Sequence, residues 1–206
     1  MSVFQFSTVT DTAGTAFGVV IPPVAGKIAR VNEIIYTSGA TAHTVYVMRP
    51  VGKTTSDGQG FDVASLDIPV SNVNAMPAPN STTSETIAAS DYMAWLDTDG
   101  KYQFGEVAGV SANVVSLSAS YPPGVPDGSP VWIFGELARA PHLAFSPPVS
   151  ATTKIPLVAQ GGVPVQLDSS VRSGVGDPIL VLSNNLTAAG TLVSVTGSYE
   201  DDWTTS

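Results

Sequence analysis

The densest set of potentially reactive side chains lies between Trp95 and Glu106, in the run W-L-D-T-D-G-K-Y-Q-F-G-E. Asp97, Asp99, Gly100 and Glu106 fall at positions 3, 5, 6 and 12 of the calcium-loop pattern, in which carboxylates encircle the ion and the glycine permits a sharp turn. Position 1 is Trp95, and an indole cannot ligate a calcium ion. The flanks also alternate with a period of two, Tyr92, Ala94 and Leu96 before the acids and Tyr102 and Phe104 after them, as in paired strands rather than helices. Asp97-Thr98-Asp99-Gly100 is therefore expected to be a hairpin turn whose glycine takes a positive φ.

Other patterns fail on a required residue. Val51-Gly52-Lys53-Thr54-Thr55 echoes the end of a P-loop, but the earlier glycine would fall at Val47 and no helix pattern follows, so no amide cradle for phosphate is expected. Gly174-Val175-Gly176 lacks the third glycine of a dinucleotide fingerprint, with Ile179 in its place, and reads as a flexible lead into Asp177-Pro178. His43 and His142 are too few for a three-His metal site, and neither stands in a local nucleophile arrangement. The absence of cysteine removes disulfides, thiolate ligands and a cysteine nucleophile. Asp97/Asp99 or Asp201/Asp202 could serve glycoside hydrolysis, which needs two carboxyls about 5 to 9 Å apart, but turns and tails are poor places to raise a carboxyl pKa. Asn80-Ser81-Thr82 and Asn185-Leu186-Thr187 fit the glycosylation sequon and read as turn asparagines. No catalytic residue, metal or cofactor is expected.

The elements that position these residues are short. The 206-residue chain carries 19 glycines and 16 prolines, and its apolar stretches are β-branched and closed by turn residues every eight to twelve positions or so, the rhythm of a sandwich or barrel. Strands are expected over residues 15–21, 27–37, 44–49, 86–97, 102–110, 114–119, 130–137, 143–145, 153–158, 178–183 and 191–199, with short helical turns allowed near 60–66. With 8 Lys and Arg against 17 Asp and Glu the net charge is −9, which argues against nucleic acid as a partner. Only 12% of residues are charged, against roughly 25% in an ordinary soluble domain. The N-terminal M-S-V-F-Q-F-S-T-V-T-D has no basic residue and no sustained apolar run, so neither a secretion signal nor a membrane partner is expected.

The polar segment V-S-N-V-N-A-M-P-A-P-N-S-T-T-S-E (70–85) reads as a linker or surface loop, and A-R-A-P-H-L-A-F-S-P-P (138–148) as a second junction. The expected fold is all-β: a jelly-roll-like β-sandwich built from residues 1–80 and 138–206, interrupted by a small β-barrel over 81–137. Neither flank alone has enough strands to close a double sheet.

Two runs, D-Y-M-A-W-L-D-T-D-G-K-Y-Q-F-G-E-V-A-G-V (91–110) and V-V-S-L-S-A-S-Y-P-P-G-V-P-D-G-S-P-V-W-I-F (114–134), give the chain a family likeness. So do G-D-P-I-L-V-L-S-N-N-L-T-A-A-G-T-L (176–192) and I-I-Y-T-S-G-A-T-A-H-T-V-Y (34–46). The chain resembles virion structural proteins of tailed bacteriophages, of the head decoration or cement type, in which such a strand, Asp-Gly hairpin and Pro-rich turn recur as a small barrel. The resemblance implies a non-enzymatic protein, frequently a homotrimer, that binds the major capsid protein on the outer face of the head; it would be made in the host cytoplasm and carried on the virion. The alternative is a carbohydrate- or receptor-binding module of a phage tail or tail tip, with Trp95, Trp132, Tyr102 and Tyr121 as candidate stacking residues. A hydrolase using Asp and one histidine is the third reading. Phe4 and Phe6 of the N-terminal arm and Trp203 near the C-terminus are the expected subunit-interface residues, since terminal aromatics often order against neighbours.

Overall fold

The computed structural model describes residues 2–9, 17–37, 44–57, 66–77, 84–119, 124–137, 143–146, 152–154, 171–183 and 192–201. Every regular element among them is a β-strand. The chain opens with β1 (Ser2–Val9), β2 (Phe17–Ile21), β3 (Lys27–Thr37) and β4 (Val45–Met48). It continues through β5 (Gly52–Thr55), β6 (Asp67–Pro69), β7 (Met76–Pro77), β8 (Ser84–Glu85), β9 (Asp91–Leu96), β10 (Tyr102–Ser111), β11 (Val114–Leu117) and β12 (Pro130–Glu136). It closes with β13 (Leu143–Phe145), β14 (Thr152–Lys154), β15 (Val171–Val175), β16 (Ile179–Ser183) and β17 (Leu192–Asp201). Two compact units result, one from Met1–Arg49 with Pro141–Ser206 and one from Pro50–Ala140.

The first unit is a sandwich of two antiparallel sheets. One runs β1-β17-β3, with β14 and β15 both on the far edge of β3, and the other runs β13-β4-β16-β2. Counting β14 and β15 as two pieces of one edge strand, the strand positions along the chain alternate between sheets as 1-8-3-6 and 5-4-7-2. That is the double Greek key of a jelly roll. Phe4, Val19, Ile21, Ala29, Val31, Ile34, Tyr36, Val45, Val47, Ile179, Val181, Val193 and Val195 form its core. A buried hydrogen bond between the Tyr36 and Ser183 hydroxyls, 3.0 Å long, ties β3 to β16 across that core.

The core residues of β3 change phase along the strand: Ala29 and Val31 are buried, and then Ile34 and Tyr36. The cause is a bulge. Thr196 pairs with Glu33 but Gly197 pairs with Val31, so exposed Asn32 is the extra residue. A strand has a strict period of two, and the bulge turns Glu33 away from the core without ending the strand. Gly197 stands opposite this irregularity and beside Phe4.

In the second unit the sheet order is β5-β12-β9-β10-β11-β6, every pair antiparallel. The two edges meet through the Ser56–Val70 bridge, with Asp57 N–H donating to Pro69 O at 3.0 Å and Ser71 N–H to Thr55 O at 2.9 Å. The sheet thus closes into a barrel whose interior holds Ile68, Val70, Ile87, Met93, Trp95, Val107, Val115, Leu117, Val125, Val131 and Ile133. The unit begins at Pro50, where sequence reasoning places its start at residue 81. Short polar β5 and β6 carry no periodic signal, and residues around Val70 that read as a linker close the barrel. Val73 packs on its core, and β7 pairs with β8.

The two-residue turn Ala112-Asn113 joins β10 to β11, and Ala112 takes φ +52°. A left-handed alanine costs about 1–2 kcal/mol. Ala112→Gly is expected to stabilise the barrel by up to about 1 kcal/mol once the extra freedom of glycine in the unfolded chain is offset, as read by denaturant midpoint.

Candidate functional site

The acidic turn is a hairpin with a built-in brace. Leu96 pairs with Tyr102, Asp97 N–H donates to Lys101 O at 2.8 Å, and Gly100 takes φ +78°. Asp97 is buried at 1% exposure, and its Oδ1 accepts from the N–H groups of Asp99 (2.9 Å) and Lys101 (2.8 Å) while Oδ2 accepts from Gln103 Nε2 (2.8 Å). A carboxylate aimed at its own loop amides organises the turn. Glu106 lies on β10 with an oxygen 3.5 Å from the Tyr92 hydroxyl, so it does not complete a ring with Asp97. Among the described residues no cluster of three or more His, Asp or Glu could hold a metal ion.

Val51-Gly52-Lys53-Thr54-Thr55 enters the barrel wall instead of a phosphate loop. Gly52 to Thr55 pair with β12, and Val51 N–H donates to Ile133 O at 2.7 Å. Lys53 lies over the Trp132 ring, 5.2 Å from its centroid, a cation–π contact. Gly174-Val175-Gly176, expected to be a flexible lead, is a tied turn. Gly176 N–H donates to Lys27 O at 2.8 Å, Asp177 N–H donates to Gly174 O at 3.2 Å, and Ser173 Oγ accepts from Ala29 N–H at 2.9 Å.

The candidate stacking residues are mostly enclosed. Trp95 is inside the barrel and Trp132 is also buried, while half-buried Tyr102 sits with its ring 6.1 Å from that of Trp132, and burial pushes its phenol pKa up. Tyr121, His43, His142, Asp202, Trp203 and both sequons lie outside the described residues.

The expected interface aromatics have another task. Phe4 belongs to the sandwich core and Phe6 packs against it, with ring centroids 5.6 Å apart; Phe4 also meets Tyr199 at 5.0 Å. Phe4 is thus buried within the protomer, and Phe6 is half-buried against the same core. The residues β1 offers outward are Val3, Gln5 and Ser7, with Val3 81% exposed. The signal for this was present in S-V-F-Q-F-S, where Phe4 and Phe6 share one face and Val3, Gln5 and Ser7 the other.

Sparse charge is paired on the other strands of the same sheet. Arg30 on β3 reaches Glu200 on β17 at 3.0 Å, Arg172 on β15 approaches the second Glu200 oxygen at 3.8 Å, and Lys27 pairs with Asp201. The Lys27 ammonium holds the exposed Asp201 carboxyl below the usual carboxylate range. The stabilisation from that pair is present above the ordinary carboxylate pKa and fades as pH falls through the lowered one.

No protein-family model matches the chain, and no curated protein matches it. Among solved structures, one chain from "Structure of infectious bursal disease virus Gx strain" aligns at 11% identity over 96% of this chain, with a TM-score of 0.15. This chain spans 38% of that one, and a superposition so loose carries no argument about fold or function.

Proposed function

We propose that this chain is a non-enzymatic structural protein of a virion, a decoration or cement protein that binds the major capsid protein on the outer face of a phage head and stabilises the shell through subunit contacts. The observation that carries the reading is architectural. A jelly roll interrupted by a closed barrel presents little charge, and the carboxylates and glycines that looked like chemistry brace turns and bulges. Surfaces poor in charge desolvate cheaply against neighbours, which suits a subunit covered by other subunits. A homotrimer is the assembly that the family resemblance favours.

Mass spectrometry of gradient-purified particles is expected to detect the chain in stoichiometric amount, and purified protein is expected to bind heads lacking it and raise their resistance to heat. Absence from particles, or failure to bind such heads, would overturn the proposal.

A further inference from the structure

Sheet edges are templates for pairing, and folded proteins blunt them with short strands, bulges, prolines or charges. Among the described residues the barrel has joined its edges. Two sandwich edges show those devices: β13 has 3 residues, and the edge shared by β14 and β15 consists of a 3-residue strand and one broken by a register shift between Arg172 and Val175. β2 is a 5-residue strand. The remaining edge strand, β1, is different. It runs 8 residues in unbroken register against β17, from Ser2–Tyr199 to Val9–Leu192, and S-V-F-Q-F-S-T-V contains no charge and no proline. No strand pairs its outer edge among the described residues, and Val3 on its outward face is 81% exposed.

We infer that the outer edge of β1 pairs antiparallel with β1 of a second copy of this chain, joining two sandwiches into one continuous sheet across a two-fold axis. The strand's own pattern selects the occupant. V-F-Q-F-S places Phe4 and Phe6 symmetrically about Gln5, and β1 carries no charge, so two copies can oppose these strips without like charges at the contact. A two-fold contact is also self-complementary, so each copy satisfies the other's unpaired amides and carbonyls in one step. The pleat limits the register. Directly opposed residues point to the same face, so the core-facing Phe4 must oppose a core-facing residue. An axis through Gln5 meets this condition, setting Phe4 against Phe6 of the second copy, Val3 against Ser7, and Gln5 against Gln5. The contact stands independently of the virion reading, and it would link pairs of trimers if the protein is otherwise trimeric.

The test uses purified full-length protein and two variants, since the chain has no native cysteine. Gln5→Cys is expected to form a disulfide-linked dimer under mild oxidation, while Ala112→Cys, at an exposed turn of the barrel, is expected to remain uncrosslinked. The double variant Val3→Glu/Ser7→Glu puts like charges face to face at exposed positions. It is expected to keep the wild-type melting temperature and to weaken association at least about tenfold in sedimentation. The inference is overturned if the wild type is monomeric at its highest soluble concentration, if the double variant assembles as the wild type does, or if Gln5→Cys crosslinks no better than Ala112→Cys. Success or failure here leaves head binding to its own assay.

Discussion

Gly197→Ala is expected to destabilise the sandwich by about 2–3 kcal/mol, a loss of roughly 5–10 °C in thermal midpoint. Gly197 faces inward on β17 between Val195 and Tyr199, and the ring of Phe4 occupies the space where its side chain would be. A Cβ there would lie 2.1 Å from the Arg30 carbonyl oxygen and 2.4 Å from Phe4 Cζ. The ring could turn aside, but the Arg30 carbonyl is β3 backbone beside the bulge and cannot move without disturbing the phase of Ile34 and Tyr36. Phe4→Leu combined with Gly197→Ala is therefore expected to recover only a minor part of the loss. Full recovery in the double variant would show that the ring, and not the bulged backbone, sets the constraint. Chemical denaturation of the two single variants and the double variant measures this directly.

Asp97→Ala should cost the barrel about 2–4 kcal/mol, because it removes the buried carboxylate that accepts from the N–H groups of Asp99 and Lys101 and from the Gln103 amide. For a unit of this size the thermal midpoint falls by roughly 10 °C or more. Asp97→Asn keeps an oxygen for the two backbone donors and is expected to restore most of the stability. Calcium separates the brace from a metal site: millimolar calcium should leave the wild-type midpoint unchanged, since binding to the native state would raise it. A calcium-dependent rise abolished by both substitutions would overturn the brace.

The parts of this fold legible in sequence are those where local backbone geometry restricts residue type. Tyr92, Ala94 and Leu96 against Tyr102 and Phe104 announce the β9–β10 hairpin, and Asp97 to Gly100 announce its turn, because strand pleat and positive φ each restrict residue type. The limits of the barrel are less legible. Thr54 and Thr55 look like loop residues, but the Thr55 hydroxyl hydrogen-bonds to that of Ser71 at 2.8 Å, so the closing seam is held by polar side chains and backbone. Such a seam leaves no apolar periodicity to read. β1 shows the opposite difficulty. Its alternation is clear, yet only pairing with β17 reveals that Phe4 and Phe6 serve the protomer's core while Val3 faces outward. Asp97 reads as a turn residue from its neighbours, whereas its burial and its bond to Gln103 depend on how the strand beyond the turn returns.

The strand that completes the β1-β17-β3 sheet is made after every other strand among the described residues. β17 lies between β1 and β3, pairing with both, so residues near the two ends of the chain must meet before that sheet exists. During synthesis the barrel is complete as a contiguous segment once Ala140 has emerged, while β1 to β4 wait for more than half of the polypeptide to follow. Contacts this distant in sequence form slowly and leave apolar strands exposed meanwhile. A ribosome stalled before Leu192 would therefore carry a folded barrel flanked by an open sandwich, which makes the emergence of β17 the step that times closure of the sandwich.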